Sequence, residues 1–305
     1  MRYLLIFVIT LLFSCEKVNI ISVKDYNNLS FCHNEQFDSD HLSILSFNRL
    51  SNTSIHSVVS VIETTNPDII GLQESYDIGF QIADRFNYCF YGNDDNSTAI
   101  LSKYPLQGVN ELYCKVFLND SLFINFFNIH LTAQPYQPYD IRDTLITTPL
   151  QAIHQAEQTR GAEIDKLTED ILSINNNMPL VVVGDFNEPS HLDWVLNTEN
   201  AQLFQYINST QFVVNWPGSI KLNNCGLIDC YRYIFPDPIS KPGYTWNTVN
   251  STNAVHDRID FIYYKPNNTM TIDSMFVVGK SQEDDIFIED YQSDHRAILV
   301  TFKLN

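Results

Sequence analysis

The stretch Leu-Val-Val-Val-Gly-Asp-Phe-Asn, residues 180–187, joins a run of β-branched residues to a short polar turn. The run predicts a buried strand over Leu180–Val183, because β-branched side chains fit a pleated, buried surface. Asp185 and Asn187 are one residue apart, so both side chains can face one cleft while Phe186 points into the core. An acid beside an amide can orient a water or a leaving oxygen and hold a phosphate oxygen. The same residues also suit an ordinary Asx turn.

Elsewhere in the chain, other polar segments also stand next to apolar, strand-like runs. Ser46–Asn48, Leu72–Ser75, Asn128–Leu131 and Ser293–His295 each follow such a run, and Asp257–Phe261 opens one. Strand ends are where a sheet can project side chains into a shared cleft. Asn48 and Glu74 bring amide and carboxylate oxygens to such ends, and Mg²⁺ or Mn²⁺ prefers oxygen ligands of this kind.

Asp260 and His295 form a candidate acid–imidazole pair. A carboxylate on one ring nitrogen fixes the tautomer and leaves the other nitrogen to act on a water or a phosphate. Asp294 is a candidate ligand of the metal or of its water, and His130 adds a second donor toward the phosphoryl oxygens. A lone histidine on a strand is more often structural. Two histidines with matched acids and amides predict metal-assisted phosphoester hydrolysis.

The remaining pattern is an alternation of strands and helices without an internal repeat or a dividing linker. We expect strands at 43–47, 68–72, 180–183, 258–264, 272–278 and 296–303, and antiparallel strands over 88–130. We expect helices between Ser54 and Pro67 and over 151–174. Irregular structure is expected from 184 to about 222, and a short helical turn within 223–233. The Pro-rich stretch 132–151 is expected to be a functional loop, because long loops inside a domain are seldom accidental.

These motifs resemble those of the endonuclease/exonuclease/phosphatase family, a metal-dependent group that includes deoxyribonucleases, abasic-site endonucleases, sphingomyelinases and inositol-phosphate phosphatases. The resemblance runs from about Leu42 to the C-terminus and also covers the segments Gly226–Arg232, Tyr244–Trp246 and Arg258–Phe261. It implies a four-layered α/β sandwich, in which two packed mixed sheets are flanked by helices. It also implies a metal-dependent phosphoric ester hydrolase.

The resemblance implies a metal site as well. Glu74 becomes the principal ligand, with Asn48 and Asp294 around the cation. The implied cofactor is Mg²⁺, and Mn²⁺ and Ca²⁺ stay open because all three accept oxygen ligands. Asp229 and Trp246 are expected to be scaffold rather than chemistry.

The implied catalytic residues are His130, Asp185, Asn187, Asp260 and His295. Asp185 and Asn187 orient the nucleophilic water or protonate the leaving group. His295, paired with Asp260, is either the general base or a phosphate-stabilising acid. His130 stabilises the pentacovalent transition state.

Three residues are weaker candidates for substrate binding. Arg49 follows the first strand, where it is either a phosphate contact or, slightly favoured, a solvated strand-end residue. Tyr136 belongs to the 132–151 loop, and Arg160 lies on the helix after that loop. We expect the loop residues Tyr136, Tyr139, Arg142 and Asp143, together with Arg160, to form one wall of the pocket.

Composition narrows the substrate class. The formal net charge is −18 and the hydrophobic content is 44 % in 305 residues, enough for a sizeable core. Nonspecific nucleic-acid binders neutralise phosphates with Lys and Arg, and this chain has only 18 of them. We therefore expect hydrolysis of a small phosphorylated molecule or a lipid headgroup. A secreted endonuclease acting on extracellular DNA or RNA is the alternative, and an inactive surface binding module is the third.

The N-terminus predicts export. Residues 1–15 combine Arg2 with an apolar run too short to span a membrane and end in Leu-Phe-Ser-Cys, which suits a signal peptide or a lipoprotein signal with Cys15 lipidated. A polar tether over 16–40 and a catalytic domain over 41–305 follow. The protein is thus expected outside the cytoplasm as a monomer, secreted or held at the membrane only by a lipid on Cys15.

Five cysteines remain after such processing, so they cannot all pair internally. Cys89 with Cys114, and Cys225 with Cys230, are two conceivable bridges.

Overall fold

Strands and helices alternate along the chain in the computed structural model, which describes residues 29–30, 37–76, 78–92, 97–175, 177–204, 207, 210–248 and 254–305. The strands are β1 Leu29–Ser30, β2 His41–Asn48, β3 Ile69–Gln73, β4 Cys89–Tyr91, β5 Thr98–Ser102, β6 Leu106–Asn110, β7 Tyr113–Phe117, β8 Phe123–His130, β9 Leu180–Asp185, β10 Ile228–Asp229, β11 Asp260–Lys265, β12 Met270–Gly279, β13 Ile286–Phe287 and β14 Ala297–Leu304. The helices are α1 Ile55–Thr65, α2 Ile78–Phe86, α3 Gln137–Arg142, α4 Pro149–Ser173, α5 Glu199–Leu203, α6 Pro217–Asn224 and α7 Cys230–Ile234.

The described strands form two mixed sheets. The first sheet has the order β1-β6-β7-β8-β9-β11-β10, and the second has the order β13-β12-β14-β2-β3-β5-β4. Most neighbours are antiparallel, but β8 runs parallel to β9, β2 to β3, and β12 to β13. Both sheets are therefore mixed, as the resemblance implies.

Apolar side chains fill three layers between these elements. Ile44 of β2 and Val183 of β9 belong to the cluster between the two sheets. Leu45, the next residue along β2, packs with Val58 of α1, because successive side chains of a strand point to opposite faces. Leu167 of α4 packs on the outer face of the first sheet, and burying such a side chain stabilises the fold by about 1.5–3 kcal/mol. The layers therefore follow one another as helix, sheet, sheet and helix, which confirms the four-layered α/β sandwich.

The two main helices begin at capping residues. The Ser54 side chain accepts a hydrogen bond from the Ser57 amide at the start of α1, which ends before Pro67, as predicted. Helix α4 starts two residues earlier than predicted, at Pro149, because Thr148 and Gln151 form a reciprocal capping box.

The antiparallel strands predicted over 88–130 are present, but they divide between the sheets. Strands β4 and β5 pair in the second sheet, and β6, β7 and β8 pair in the first. The chain changes sheet between Ser102 and Leu106, where Pro105 lacks the amide hydrogen that a continuing strand needs.

Three short helices depart from the predicted pattern. Helix α3 lies within the stretch expected to be a loop, and α5 and α6 lie within the region expected to be irregular. Helices of five to eight residues are too short to show a repeating apolar face in the sequence.

Neither of the two conceivable disulfides forms. Cys89 is disulfide-bonded, but Cys114, Cys225 and Cys230 are free thiols. Cys89 and Cys114 lie in different sheets, and facing sheets pack about 10 Å apart, beyond the usual Cα separation of a disulfide. Cys230 points between the sheets, whereas Cys225 lies with the cluster on the outer face of the first sheet.

Residues 1–28 and 31–36 lie outside the described residues, and with them the predicted signal peptide, Cys15 and most of the predicted tether. Where that segment is described, it contacts the domain. Strand β1 pairs with β6, and the ring of Phe37 packs edge-on against Tyr104 with centroids 5.5 Å apart. Within the described part of the chain, we find no helix that is both long enough and apolar enough to span a bilayer.

Candidate active site

A cleft lies where the strand ends of the two sheets meet. The register places Asp185 beside His130 on one side and beside Asp260 on the other. The cleft has a volume of ≈ 130 Å³, and its lining residues are Asn48, Glu74, His130, Ala133, Gln134, Tyr136, Tyr139, Asp185, Asn187, Trp246, Ile259, Asp294 and His295. The three expected metal ligands and four of the five expected catalytic residues thus line one cleft. The fifth, Asp260, lies behind His295.

Asp185 is buried, and both of its carboxylate oxygens are engaged. Oδ2 accepts a hydrogen bond from Asn48 Nδ2 at 2.9 Å, and Oδ1 accepts one from the main-chain amide of Asn187 at 2.8 Å. Asn187 adopts a φ of 49°, and its side-chain Nδ2 donates to the carbonyl of Leu131 at 3.0 Å. The Asx-turn interaction and the cleft position therefore coexist, because the turn is what orients the carboxylate.

Two imidazoles approach the same oxygen of Asp185. His295 Nδ1 bonds to Asp260 Oδ2 at 2.9 Å, and its Nε2 lies 3.7 Å from Asp185 Oδ2. His130 Nε2 lies 3.6 Å from that oxygen, and its Nδ1 contacts Ser97 Oγ at 3.2 Å. The expected acid–imidazole pair is thus present.

The carboxylates around His295 favour the protonated form of its imidazole. Burial lowers the pKa of its imidazole, but the charges of Asp260 and Asp185 outweigh burial and raise the pKa to about 10. For the Asp260 carboxyl, burial has the opposite effect and raises the pKa, and the positive charge of His295 acts against this shift. A protonated imidazole donates hydrogen bonds through both nitrogens, so its Nε2 suits negative phosphoryl oxygens better than it suits proton abstraction.

Glu74 and Asp294 add two carboxylates to the cleft. Glu74 has a φ of 53°, and its Oε2 accepts a hydrogen bond from the amide of Ser51 at 2.7 Å. Asp294 Oδ1 is buried and has no hydrogen-bond partner among the described residues. Burial raises the pKa of Asp294, and the charges of Glu74 and Asp185 raise it further, although His295 opposes them. Crowded carboxylates with an unpartnered oxygen fit a divalent cation.

A second set of buried groups also has the spacing of metal ligands. One ligand atom each of Asp185, Asp260 and His295 lies within 4.8 Å of the others. Within this set, His295 Nδ1 is hydrogen-bonded to Asp260 Oδ2, and Asp185 accepts a hydrogen bond from Asn48.

Arg49 does not contact the cleft. Its side chain is 1 % exposed, with Nε donating to the carbonyl of Glu74 at 2.7 Å and Nη1 donating to the carbonyl of Thr53 at 3.1 Å. Both expectations for Arg49, a phosphate contact and a solvated residue, are therefore wrong. The turn around Glu74 leaves buried carbonyls that need donors, and the guanidinium supplies them.

Arg160 is also a structural residue rather than a substrate contact, contrary to expectation. It is fully buried, and its Nε lies 3.4 Å from Glu188 Oε2. Its Nη1 donates to the carbonyl of Thr132 at 3.2 Å, and its Nη2 donates to the side-chain oxygen of Gln137. The start of the predicted loop folds over α4 with inward carbonyls, so Arg160 holds the wall from behind.

Three aromatic residues, Tyr136, Tyr139 and Trp246, form what we call the aromatic wall of the cleft. Tyr136 lines the cleft with its ring, but its hydroxyl donates to Asp257 Oδ2 at 2.7 Å, so that hydroxyl does not serve a substrate. Trp246, expected to be scaffold, packs on His295 with ring centroids 4.8 Å apart. Its Nε1 donates to Tyr139 Oη at 3.2 Å. The Tyr-Thr-Trp motif was visible in the sequence, but its contact with the loop was not.

Two amides of the strand-end motifs bridge the sheets instead of lining the cleft. Gln73 Nε2 donates to Asn128 Oδ1 at 2.6 Å, and Asn128 Nδ2 donates to the carbonyl of Leu72 at 3.1 Å. Gly71 permits this close approach, since a Cβ there would lie 2.2 Å from the side chain of Val183. These contacts join the two sheets directly beneath the cleft.

Other polar residues support the site from a distance. Ser293 Oγ donates to the carbonyl of Asn48 at 2.7 Å and accepts from the amide of His295 at 3.1 Å, so it links two strand ends. Asp229 lies outside the cleft lining and pairs with the buried Arg258 at 2.7 Å, in keeping with a scaffold role.

Known proteins resemble this chain in sequence and in fold. The model of the Endonuclease/Exonuclease/phosphatase family matches residues 36–295. The uncharacterized protein F14F9.5 of Caenorhabditis elegans is 27% identical over 266 residues, which cover 78% of this chain and 82% of that protein.

Two solved structures illustrate the likeness in fold. An AP endonuclease from Archaeoglobus fulgidus superposes with a TM-score of 0.56 at 14% identity, covering 85% of this chain and 98% of that chain. The 3' phosphatase NExo from Neisseria, bound to a product DNA hairpin, superposes with a TM-score of 0.55 at 15% identity over the same shares. At these identities the likeness concerns the fold.

Proposed function

This chain belongs to the endonuclease/exonuclease/phosphatase family and is a metal-dependent phosphoric ester hydrolase, and from that premise we propose that it hydrolyses a small phosphorylated molecule or a phosphorylated lipid headgroup. The observation that carries the proposal is the composition of the cleft. None of the described residues that line it is Lys or Arg. The two arginines that the sequence suggested as substrate contacts, Arg49 and Arg160, are buried and hydrogen-bonded to the protein itself.

A nucleic-acid backbone is usually held by cationic side chains along a groove. With a net charge of −18 and a cleft of ≈ 130 Å³, this protein is better suited to a substrate held at one phosphate by a cation. The aromatic wall then receives the rest of the molecule.

We assign the cation to Asn48, Glu74 and Asp294. These residues offer one amide and two carboxylate oxygens, and the Asp294 Oδ1 atom has no other partner among the described residues. In the competing set, His295 is already hydrogen-bonded to Asp260, and the surrounding carboxylates raise the pKa of its imidazole, which favours a protonated form without a lone pair for a cation. We therefore keep that set for catalysis.

The bound cation supplies Lewis-acid stabilisation of a phosphoryl oxygen. Asp185 accepts a hydrogen bond from the attacking water and takes its proton as the water oxygen bonds to phosphorus. Asn187 helps to hold that water, and His130 and protonated His295 donate to the phosphoryl oxygens as negative charge grows. The bond from phosphorus to the leaving oxygen breaks, and that oxygen takes up a proton from the solvent to leave as an alcohol. Asp260 keeps His295 charged and oriented throughout.

A nuclease remains the second candidate. The 3' phosphatase NExo, which shares this fold, is bound to a DNA hairpin product, so the fold accommodates nucleic acid in that protein. An inactive binding module is the third candidate, but the cleft retains the complete set of acids, amides and histidines.

The test is a substrate panel with the purified protein and Mg²⁺, Mn²⁺ or Ca²⁺ in turn. The panel contains plasmid DNA, RNA, sphingomyelin, and sugar, inositol and nucleotide phosphates. Glu74→Ala and His295→Ala serve as inactivating variants, and Glu169→Gln, an exposed acid on α4, is the matched control. Turnover of one small phosphoester, lost in the first two variants and kept in the third, supports the proposal.

Nicking of plasmid DNA with the same dependence on Glu74 and His295, and no turnover of small phosphoesters, would establish the nuclease instead. Hydrolysis that survives Glu74→Ala would contradict the metal assignment.

We also propose export, on the support of Arg2, the apolar run after it and the Leu-Phe-Ser-Cys ending at Cys15. Fractionation of cells that express the full chain tests this. Cytoplasmic retention of the full-length chain would contradict it, and lipid labelling lost in Cys15→Ser would identify the anchored form.

A further inference from the structure

The carboxylate of Asp257 is buried beside the active site without a cationic partner. It is 1 % exposed, and none of the ion pairs in the described part of the chain includes it. Its Oδ2 accepts from Tyr136 Oη at 2.7 Å, and its Oδ1 accepts from Trp194 Nε1 and Asn200 Nδ2, each at 2.8 Å. Burial raises the pKa of this carboxyl to about 7, although the Tyr136 and Trp194 hydrogen bonds oppose the shift.

The three donors explain why a carboxylate stands at a site where burial opposes charge. A neutral Asn would be easier to bury, but its amide has one acceptor oxygen and one NH₂ group. An Asn in this orientation would face either Tyr136, or Trp194 and Asn200, with a donor instead of an acceptor. Only a carboxylate lets Tyr136, Trp194 and Asn200 all donate to residue 257. With Asn in its place, the Tyr136 hydroxyl would have to accept, and its own proton would lose this partner.

The two sides of Asp257 differ in what they hold. On the Oδ1 side, Trp194 belongs to the apolar cluster around Phe204 and does not line the cleft. On the Oδ2 side, Tyr136 lines the cleft and packs edge-on against Tyr139, with ring centroids 5.0 Å apart. The Oδ2 bond therefore leads to the aromatic wall.

The main chain of Asp257 holds the other half of that wall. Its amide donates to the carbonyl of Trp246 at 2.6 Å, and its carbonyl accepts from the amide of Trp246 at 2.8 Å. Trp246 in turn packs on His295 and donates to Tyr139 Oη. One residue thus joins both segments of the wall to the chain that continues into β11 and Asp260.

From this geometry we infer that Asp257 is a positioning residue for the aromatic wall, and that it sets the affinity for the part of the substrate beyond the reacting phosphate. The inference rests on the proposed function only in that the wall contacts a substrate in the cleft. Nothing in it requires that substrate to be small.

The decisive comparison is between Tyr136→Phe and Trp194→Phe. Each variant removes one donor to Asp257 and keeps an aromatic ring, but only Tyr136→Phe acts on the oxygen that faces the wall. One lost hydrogen bond corresponds to about a fivefold change in an equilibrium, so we expect KM to rise about fivefold in Tyr136→Phe with kcat within about twofold of wild type. In Trp194→Phe, we expect a lower Tm and an unchanged KM.

Equal KM values in the two variants would overturn the inference and leave Asp257 as a structural residue only. Asp257→Asn is the second variant, and we expect KM to rise about tenfold or more, because misplacement of a substrate contact is costly. Inorganic phosphate, used as a competitive inhibitor, should keep its wild-type inhibition constant in every variant, since it needs only the cation and the catalytic residues. Weaker inhibition by phosphate in Tyr136→Phe would also contradict the inference.

The outcome is separable from that of the proposed function. If the wild-type protein cleaves DNA rather than a small phosphoester, the proposed substrate class fails. The same KM comparison, measured with a short oligonucleotide, then decides the role of Asp257.

Discussion

The strand-end side of the cleft and its aromatic wall are built in opposite ways. On the strand-end side, acids crowd together, and the Oδ1 atoms of Asp260 and Asp294 have no hydrogen-bond partner among the described residues. In the wall, polar atoms pair within the protein, as Tyr136 does with Asp257 and Trp246 does with Tyr139. In the first region, crowded carboxylates repel one another, and a cation relieves that repulsion, whereas the polar atoms of the second region are paired without a ligand.

This contrast predicts opposite responses to substitution. Removing a strand-end acid should abolish chemistry and leave the fold as stable as before or more stable, because functional sites often hold charge that opposes folding. Removing a polar group that holds the wall should destabilise the fold and affect the reaction through substrate affinity.

The largest effect is expected for Glu74→Gln. We expect kcat/KM to fall about a thousandfold or more, because a ligand of the cation and its charge are lost. Without metal, the free energy of unfolding should stay equal or rise, since the charge of Glu74 is one of those that raise the pKa of Asp294. Steady-state kinetics and urea unfolding measure both, with Glu169→Gln as the control. A clear loss of stability in Glu74→Gln would show that the charge of Glu74 does not oppose folding, contrary to this prediction.

The next effect concerns Arg160, which holds the wall from behind. Arg160→Met should lower the free energy of unfolding by about 3 kcal/mol, because it leaves Glu188 buried and unpaired. Arg142→Met is the matched control, since Arg142, at the end of α3, is partly exposed and pairs with the exposed Asp143. The control should cost less than about 1 kcal/mol. Similar losses in both variants would show that the burial of Arg160 does not matter.

A smaller effect should appear as a pH dependence of stability. The folded-state pKa of Asp257 is raised from 3.8 to about 7, so the folded state binds the proton more tightly than the unfolded state. The stabilisation is present below about pH 4 and is lost as the pH rises toward 7. The free energy of unfolding of wild type minus that of Asp257→Asn should therefore fall by about 2–3 kcal/mol between pH 5 and pH 8.

Using the difference between the two proteins removes the titration of every other group that behaves alike in both. A difference that is the same at both pH values would show that Asp257 does not titrate in this range.

The smallest effect is expected for Tyr139→Phe. The hydroxyl of Tyr139 accepts from Trp246 Nε1 at 3.2 Å and from Asn247 Nδ2 at 3.4 Å, and both contacts are long. We expect KM to rise about twofold to threefold with kcat unchanged, and Tm to move little. Tyr233→Phe, a largely exposed tyrosine outside the cleft lining, is the control. A loss of kcat would place the hydroxyl of Tyr139 in the chemistry rather than in the wall.

The strand-end residues were predictable because they obey local rules. A buried apolar run such as Leu180–Val183 predicts a strand, and the polar residue after it then lies at the end of that strand. The positions of Asn48, Glu74, Asp185 and His295 in one cleft follow from that rule together with the family resemblance. The helix between Ser54 and Pro67 was equally local, since its cap and its stop are adjacent in sequence.

Arg49 and Arg160 were misassigned for the opposite reason. Their side chains satisfy carbonyls of Glu74 and Thr132, which are 25 and 28 residues away. No sequence pattern shows which carbonyls a loop will bury, so a charged residue near a site looks the same whether it meets a ligand or the backbone. The two disulfides suggested from the sequence were wrong for a similar reason. Whether two cysteines can pair depends on which sheet each belongs to and on which face of that sheet its side chain lies.

The amino-acid sequence alone determined the main strands, the two longest helices, the family, and the acids, amides and histidines of the cleft, because these depend on local periodicity and on side-chain chemistry. Only the tertiary structure decided that Trp246 packs on His295, that Asp257 joins both parts of the aromatic wall, and that the arginines face inward. Those features arise from contacts between segments far apart in sequence, from 25 residues for Arg49 and Glu74 to 121 residues for Tyr136 and Asp257. Such contacts form only when packing brings buried partners together.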